Sequence, residues 1–447
     1  MCLLQNQGSG FNKAATDFTD CTDFIDDSIP ERQPSVKSVK SVAAFIMPGC
    51  ATACEGLHRI PWQGCPLPII LRVMRKTVTR QETRQTPAAL GFSMPAEWEP
   101  HEATWLAWPH NPTDWPDKLD IIRWVYGEIV RKISPGEIIR MLVNSRAGEQ
   151  EARRYLARAG ADVGRVEFIV HPTNRGWTRD SGPVFVRRRA GRRLETAIVH
   201  FHFNAWAKYA DWRKDRRVPE TAARRLRRRL FHARAGGRDF VLEGGGIDVN
   251  GRGTLLTTEE CYLDGSTQVR NPGLSRMEFE TALQSWLGVT HVLWLGGGIT
   301  GDDTHGHVDD ICRFVNPRTL ALVREENPKD INYRPLAENW ERTGDFRLED
   351  GSRPEVLALP MPGPIYFDGE RLPASYANFY VANAAVLVPT FNDPRDRIAL
   401  GILSEVFADR EVIGIHAVDL VLGFGTLHCL TQQQPASRRS GRGVGGR

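Results

Sequence analysis

The sequence predicts an α/β fold made of repeated units, and two observations support this. Short β-branched or apolar runs alternate along the chain with segments of helical periodicity. Residues suited to catalysis also recur at a nearly constant spacing: Asp180 to Glu243 is 63 positions, and Glu243 to His307 is 64. His307 to Cys429 is 122 positions, or two steps of 61, and Asn378 lies near the intervening step. Units of about 60–70 residues arranged in a ring would direct these residues toward one axis.

The predicted elements all lie between residues 94 and 436. Strands are predicted over 166–170, 184–186, 197–203, 254–257, 291–295, 320–323 and 385–389. Helices are predicted over 119–133, 149–159, 219–231, 275–287 and 395–407. In the third helix Ala222, Leu226 and Leu230 recur every four residues. We therefore interpret its arginine run as a solvated face rather than a site for a polyanion.

Composition limits the partners that the chain is expected to have. Of its 447 residues 41% are apolar and 25% charged, as in globular proteins with a sizeable core. A net charge of +4 does not suggest nucleic-acid binding, and no apolar run reaches the roughly 18 residues needed to span a membrane. The cysteines do not form a disulfide framework in the main body. We expect a cytoplasmic protein without nucleic-acid or membrane partners, and leave homo-oligomerisation open.

Three segments differ in composition. Residues 1–93 mix polar stretches with Cys and Pro, and are predicted to be a disordered or non-native extension. Four residues in this segment loosely resemble zinc ligands, but their spacing matches no common zinc finger: Cys50, Cys54, His58 and Cys65. Met94 is interpreted as the functional start of a catalytic domain over 94–436. Residues 437–447, rich in Ser, Gly and Arg, are predicted to be a flexible tail.

Cys429 is the candidate nucleophile. It follows a glycine-rich turn that contains Gly423 and Gly425, where a backbone can approach a ligand closely. A nucleophilic cysteine needs nearby positive charge to populate its thiolate, and a cationic substrate would itself provide that charge. The alternative is a buried structural cysteine.

His307 is the candidate acid and base, and Asp309 lies two positions on. A strand is predicted over 306–314, which would place both side chains on one face. Histidine can protonate a leaving group and then activate water. The alternatives are a hydrogen-bonded core histidine or a metal site formed with neighbouring His and Asp residues. Because Cys429 offers a metal-free route, we predict neither a metal nor another cofactor.

Glu243 and Asp180 complete the candidate set. Glu243 leads into three glycines, and as a buried carboxylate it would need a partner such as His307. Asp180 stands before a Ser-Gly-Pro turn, where it could cap backbone amides or accept two parallel hydrogen bonds from a guanidinium. A thiol, an imidazole and three carboxylates predict hydrolysis of a guanidinium group. Trp98 and Trp177 are either walls for an aliphatic substrate tail or core aromatics.

Seven segments also carry a resemblance to a known family. They are, in chain order, 94–101 (Met-Pro-Ala-Glu-Trp-Glu-Pro-His), 177–183 (Trp-Thr-Arg-Asp-Ser-Gly-Pro), 243–245 (Glu-Gly-Gly), 258–261 (Thr-Glu-Glu-Cys), 306–309 (Gly-His-Val-Asp), 376–380 (Tyr-Ala-Asn-Phe-Tyr) and 427–435 (Leu-His-Cys-Leu-Thr-Gln-Gln-Gln-Pro). Together they resemble the agmatine deiminase family and its bacterial-type peptidylarginine deiminase relatives. The resemblance implies a five-bladed α/β propeller with pseudo-fivefold symmetry.

The resemblance also implies a role for each candidate. Cys429 matches the family nucleophile, His307 and Glu243 match the acid/base pair, and Asp180 and Asp309 match the carboxylates that clamp the guanidinium. The chain departs from the usual pattern at two places. Gly246-Ile247-Asp248 stands where many members have Ser-Ile-His, and 423–428 reads Gly-Phe-Gly-Thr-Leu-His in place of Gly-Gly-Gly-Asn-Ile-His. Phe424 and Thr426 are therefore expected to reshape the mouth of the site.

The expected activity is hydrolysis of agmatine to N-carbamoylputrescine and ammonia through a covalent amidino-thioether on Cys429. Peptidylarginine deimination is the first alternative. Free arginine is disfavoured because no residue for its carboxylate can be named from sequence. A cysteine protease would explain the thiol and the imidazole but not the carboxylates. A non-catalytic guanidine binder would not need the nucleophile.

Overall fold

The computed structural model describes residues 85–191 and 193–437. In these ranges the α-helices are α1 (Leu119–Ile133), α2 (Arg146–Arg158), α3 (Thr178–Ser181), α4 (Val218–Leu226), α5 (Glu259–Leu263), α6 (Arg276–Leu287), α7 (Tyr333–Thr343), α8 (Asp396–Val406) and α9 (Leu427–Leu430). The strands are β1 (His101–Ala107), β2 (Ile138–Val143), β3 (Val166–Val170), β4 (Val184–Ala190), β5 (Arg193–His200), β6 (Leu230–His232), β7 (Arg234–Ala235), β8 (Arg238–Asp239), β9 (Asp248–Val249), β10 (Thr254–Thr258), β11 (His291–Leu295), β12 (Cys312–Asn316), β13 (Thr319–Arg324), β14 (Glu355–Pro360), β15 (Tyr366–Phe367), β16 (Glu370–Arg371), β17 (Tyr380–Val381), β18 (Ala385–Thr390), β19 (Glu411–His416) and β20 (Gln432–Pro435).

Five of the described sheets share one pairing pattern. Their strand orders are β4-β5-β6, β9-β10-β11, β12-β13-β14, β17-β18-β19 and β20-β1-β2-β3. In each, the first two strands pair antiparallel, and the second then pairs parallel with a strand that follows a helical connection. In the last sheet the C-terminal β20 pairs with β1, which joins the two ends of the described chain. The fold is therefore mixed α/β.

The residues singled out by their spacing stand at a similar place relative to the five sheets. The first strands of the five sheets begin at Val184, Asp248, Cys312, Tyr380 and Gln432. The residues that the spacing singled out stand two to five positions before them: Asp180, Glu243, His307, Asn378 and Cys429. In each of the five sheets, the residue singled out by the spacing therefore lies in the segment directly before the first strand.

Helix α6 shows how local sequence sets an element in place. Ser275 and Glu278 form a reciprocal capping box at its start, and it ends at Gly288 with a φ of +68°. A Cβ on Gly288 would lie 2.3 Å from the carbonyl oxygen of Phe92, so the close packing of this segment requires glycine. Helix α6 is thereby held against residues that precede Met94.

The packed unit begins earlier than the predicted boundary at Met94. Phe92 is buried, and its ring lies 6.0 Å from that of Phe231 in an edge-to-face arrangement. Residues 85–93 therefore belong to the described fold. The structure does not describe residues 1–84 or 438–447. The predictions for the N-terminal extension up to residue 84, including the loose zinc-ligand set, and for the tail after Ser437 therefore fall outside the described residues.

Some predicted elements match the structure in their bounds, and one is partly wrong. Helix α1 and strands β3 and β11 have the predicted bounds. The predicted helix over 219–231 is wrong in its second half: α4 ends at Leu226, Arg227 adopts a φ of +52°, and Leu230 begins β6, which pairs with β5. The pairing of β6 with β5 thus overrides the recurrence of apolar residues at every fourth position, which predicted a longer helix. None of the helices in the described ranges is long and apolar enough to cross a membrane.

Candidate active site

Two of the residues that precede the first strands, Asp180 and Cys429, line a cavity of about 160 Å³. Its wall contains Thr113, Asp114, Arg175, Trp177, Asp180, Trp206, Tyr209, Asp303, Thr304, Gly423, Phe424, Gly425 and Cys429. Cys429 and Asp180, predicted from sequence as nucleophile and clamp, thus share one cavity. His307, Glu243 and Asp309 lie behind this wall, and each is buried.

Cys429 lies on the short helix α9 with 6% of its surface exposed. Asn378 donates a hydrogen bond from Nδ2 to its sulfur at 3.0 Å, and the sulfur lies 3.7 Å from Asp309 Oδ2. Burial, together with Asp309, Asp310 and Asp180, raises the pKa of the Cys429 thiol well above its usual value. Without a cation in the cavity, the sulfur is a thiol.

His307 precedes a short 3₁₀ turn, Val308–Asp310, rather than lying on a strand. The predicted strand over 306–314 is wrong over 306–311, because β12 begins only at Cys312. His307 and Asp309 nevertheless come together, since the turn brings His307 Nδ1 to 4.0 Å from Asp309 Oδ1. His307 Nδ1 also lies 3.9 Å from Asp180 Oδ1.

Glu243 is fully buried and faces the other nitrogen of His307, with Nε2 and Oε2 3.5 Å apart. Burial alone would lower the pKa of His307, but Asp180, Cys261 and Glu243 raise it, and the net shift is well upward. Burial alone would raise the pKa of Glu243, but Arg270 and His307 bring it below its usual value. His307 is thus an imidazolium beside an ionised Glu243.

The two other carboxylates are held in different ways. Asp180 accepts hydrogen bonds from Gly245 N at 3.0 Å and from Trp206 Nε1 at 3.0 Å. Burial raises the pKa of Asp180 to about 6, with Asp309 adding to the rise and His307 opposing it. Asp309 Oδ2 faces His428 Nδ1 at 2.6 Å, and this contact brings the pKa of Asp309 below its usual value despite burial.

Comparison with known proteins identifies the family that carries this set of buried residues. A sequence model of the Porphyromonas-type peptidyl-arginine deiminase family matches residues 93–435. The chain belongs to this family. It is similar to the agmatine deiminase of Pseudomonas aeruginosa strain UCBPP-PA14, with 36% identity over 378 positions that cover 79% of this chain and 98% of that protein. The family assignment made from the seven sequence segments is therefore confirmed.

Solved structures of deiminases have the same fold. The agmatine deiminase of Enterococcus faecalis superposes with a TM-score of 0.71 at 32% identity, covering 78% of this chain and 98% of that one. A substrate-bound agmatine deiminase of C. jejuni gives a TM-score of 0.69 at 30% identity, covering 78% of this chain and 97% of that one. The mixed α/β architecture is thus shared across the whole matched region.

The two tryptophans for which the sequence left open a wall or a core position differ. Trp177 is in the wall, where its ring lies 5.2 Å from that of Trp115. Trp98 is not among the lining residues; it packs, partly buried, against the hydrophobic core. Its place as a wall is taken by Trp206, which sequence analysis missed because it follows β5 in a segment without periodicity. The departures at Phe424 and Thr426 do reach the site: Phe424 lines the cavity and Thr426 Oγ1 donates to Asn378 Oδ1 at 2.8 Å.

A second layer of buried charge was also missed from sequence. His428 Nε2 lies 2.8 Å from Glu97 Oε2, so that this ring bridges Glu97 and Asp309. Glu97 in turn pairs with Arg179 and Arg313, each at 3.1 Å. Glu97 and His428 both lie within segments that carried the family resemblance. The contact between these two residues spans 331 positions, and no local sequence pattern shows it.

Two groups of described residues bring three metal-ligating atoms within 4.8 Å of one another: Glu243, Cys261 and His307, and Asp309, Asp310 and Cys429. The Arg270 guanidinium lies 3.3 Å from Glu243 and disfavours a divalent cation in the first group, because like charges repel. In the second group the carboxylates already accept hydrogen bonds from His428 and Asn378. That the reaction uses no metal stays a prediction.

Proposed function

We propose that this chain is an agmatine deiminase, which hydrolyses agmatine to N-carbamoylputrescine and ammonia. The observation that carries the proposal is the meeting of Cys429, His307 and three carboxylates in and directly behind the wall of one cavity, because only a planar cation uses all of them. The similar proteins named above, which are agmatine deiminases, support the choice of substrate. The reaction belongs to polyamine metabolism.

Asp180 and Asp309 hold the guanidinium. Asp309 Oδ1 is buried and lacks a hydrogen-bond partner among the described residues, so it is free to accept an N–H of the substrate. Asp180 faces the cavity as the second acceptor. A bound guanidinium offsets the negative charge that keeps Cys429 protonated, so the substrate lowers the pKa of the thiol that attacks it. The thiol proton leaves to solvent.

The first half of the reaction forms the covalent intermediate. The Cys429 thiolate adds to the central guanidinium carbon, and a C–S bond forms. His307, held as an imidazolium by the surrounding carboxylates, donates its proton to one nitrogen, and the C–N bond to that nitrogen breaks. Ammonia leaves, and an amidino-thioether remains on Cys429.

The second half restores the enzyme. His307, now neutral, takes a proton from a water molecule that Glu243 orients through the imidazole. The hydroxide adds to the same carbon, the C–S bond breaks, and the hydroxyl proton passes to the released sulfur as the ureido product leaves, which restores the thiol of the free enzyme. Arg270 keeps Glu243 ionised throughout, which favours the return of a proton to His307.

The shared topology of the five sheets supports a closer description of the fold. Five units with the same strand pairing, whose residues before the first strand lie in or behind the wall of one cavity, are the arrangement expected of a five-bladed α/β propeller with pseudo-fivefold symmetry. We propose that architecture. A cytoplasmic location and homo-oligomerisation stay predictions of the sequence.

The direct test is ammonia release from agmatine, L-arginine and an arginine-containing peptide, measured side by side with the full chain. Agmatine is expected to give the highest kcat/KM. Highest turnover of the peptide would assign the activity to peptidylarginine deimination. Peptide-bond cleavage without ammonia would identify a cysteine protease.

Protonation of Asp180 is expected to lower kcat/KM at acid pH. Its pKa of about 6 means that the clamp loses its charge as pH falls, whereas Glu243 and Asp309, with pKa values below their usual ones, stay ionised. We expect kcat/KM to fall about tenfold per pH unit below about pH 6. The limb is measured with n-butylguanidine, which carries the guanidinium alone, because burial also raises the pKa of Asp114, another carboxylate of the cavity wall, to about 7 and this group would add its own titration to the profile for agmatine. A profile for n-butylguanidine that stays flat to pH 5 would contradict the role of Asp180.

A further inference from the structure

Asp114 is a buried carboxylate that faces the cavity and that the mechanism above does not use. It lies in the loop between β1 and α1, next to Trp115, whose fully buried ring packs on the cavity residue Trp177. The indole of Trp115 donates to the Leu420 carbonyl at 2.9 Å, which fixes the loop against the glycine-rich turn of Cys429. The position of Asp114 is thus set by the core.

The oxygens of the three carboxylates in the cavity wall differ in their partners. Both oxygens of Asp180 accept hydrogen bonds, and so do both oxygens of Asp303, from Lys208 and Tyr209. Asp114 Oδ1 accepts from Arg175 at 2.8 Å. Within residues 85–191 and 193–437, Asp114 Oδ2 has no partner, although only 2% of the side chain is exposed. A buried carboxylate oxygen without a donor is unfavourable, so a ligand that donates there gains from it.

The charge of the wall indicates which ligand. Its charged residues are three acids, Asp114, Asp180 and Asp303, and one base, Arg175. The Arg175 guanidinium already faces Asp114 and Asp211, at 2.8 and 3.4 Å. Asp114 and Asp211 share that one cation, Lys208 pairs with Asp303, and Asp180 adds a further acid, so the cavity keeps a negative excess. A substrate that is positive at both ends fits this balance better than one that ends in a carboxylate.

We propose that Asp114 binds the distal ammonium group of the substrate, and that this contact makes the enzyme select guanidines that carry a second positive charge at their far end. The inference rests on the proposed deiminase function and adds the residue that sets its specificity. The guanidinium is held by Asp180 and Asp309, and the ammonium hydrogen-bonds to Asp114 Oδ2. Arg175 acts as a positioning residue that orients the Asp114 carboxylate through its other oxygen.

The test compares two substrates that differ only in the ammonium group. Agmatine and n-butylguanidine share the guanidinium and the four-carbon chain, and ammonia release is measured for both with the full chain. For the wild type we expect a KM for n-butylguanidine at least about tenfold above that for agmatine. Asp114→Asn is expected to raise the KM for agmatine about 10- to 100-fold with little change in kcat, and to leave n-butylguanidine within about threefold.

Asp211→Asn is the matched control. It removes the other acidic partner of Arg175 and leaves the cavity wall unchanged. We expect it to keep the preference for agmatine. Asp114→Glu, which preserves the charge, should keep part of that preference, and thermal unfolding of all variants reports whether they are folded.

Four outcomes would overturn the proposal. Equal losses for both substrates in Asp114→Asn would make Asp114 a structural residue. No loss for either would place the ammonium elsewhere, as would equal KM values in the wild type. A preference for L-arginine that Arg175→Gln abolishes would show that Arg175 receives a carboxylate. Absence of ammonia from every guanidine in the wild type would overturn the proposed function itself, a result distinct from lost selectivity.

Discussion

Replacing Cys429 by serine is expected to abolish ammonia release, with a fall in kcat of at least about a thousandfold. The acidic surroundings that raise the pKa of the thiol act equally on a hydroxyl, whose ordinary pKa is far higher. A bound guanidinium can bring a thiol to ionisation in this site but not an alcohol. The rate of ammonia release measures the loss, and calorimetric titration with agmatine should show that substrate still binds.

Cys312→Ser is the control for this substitution. Cys312 is also a buried thiol, but it begins β12 and packs in the hydrophobic core. We expect it to lower thermal stability while keeping activity per folded molecule. Mass spectrometry of the wild type under turnover should find an added amidine mass on Cys429. Retention of near-wild-type turnover by Cys429→Ser would remove the covalent mechanism.

The position of Cys429 at the cavity could be predicted from sequence because it follows a glycine-rich turn and falls on the spacing of the other candidate residues. Each functional residue enters the first strand of a unit, and units of similar length keep that entry point at a constant spacing. The secondary structure around it was less predictable. His307 was assigned to a strand because its neighbours alternate, yet a 3₁₀ turn forms there. The 3₁₀ turn nevertheless brings His307 and Asp309 together, as the predicted strand would have done.

Contacts between units could not be predicted in this way. Asn378 fell on the repeat spacing, but its amide links Cys429 to Asp310 across 51 and 68 positions. The pair formed by His428 and Glu97 spans nearly the whole domain. The sequence left open whether Trp98 and Trp177 are walls or core aromatics, and only the packing decides that Trp177 faces the cavity. Periodicity indicates which face a residue occupies within its unit, whereas these roles depend on how the units meet.

Gly245 takes no direct part in the reaction. Even so, the addition of one methyl group to this residue is expected to lower the activity strongly. Gly245 follows Glu243 in the short turn Gly244–Gly246, and its N–H donates to Asp180 Oδ1. A Cβ placed on it would lie 2.5 Å from His307 Nδ1, 2.9 Å from Asp180 Oδ1 and 3.1 Å from Asp309 Oδ2. All three atoms belong to buried groups with little room to move. One methyl group would therefore displace the imidazole and a carboxylate together.

We expect Gly245→Ala to lower kcat/KM for agmatine at least about a hundredfold, because misplacement of catalytic groups by about 1 Å has effects of this size. Overpacking should lower the free energy of unfolding by about 1–3 kcal/mol, which leaves the variant folded at room temperature if the wild type has ordinary stability. Steady-state kinetics and chemical denaturation measure the two effects separately.

Gly401→Ala provides the matched comparison, since a Cβ at Gly401, on α8, meets no atom within 4 Å. In a helix interior this exchange should raise the free energy of unfolding by about 0.5–1 kcal/mol and leave kinetics unchanged. The contrast isolates space as the cause, because both substitutions add the same methyl group. If Gly245→Ala kept wild-type kinetics, the turn after Glu243 would have to be looser than the contacts of His307 indicate. The close approach of these groups would then not be what organises catalysis.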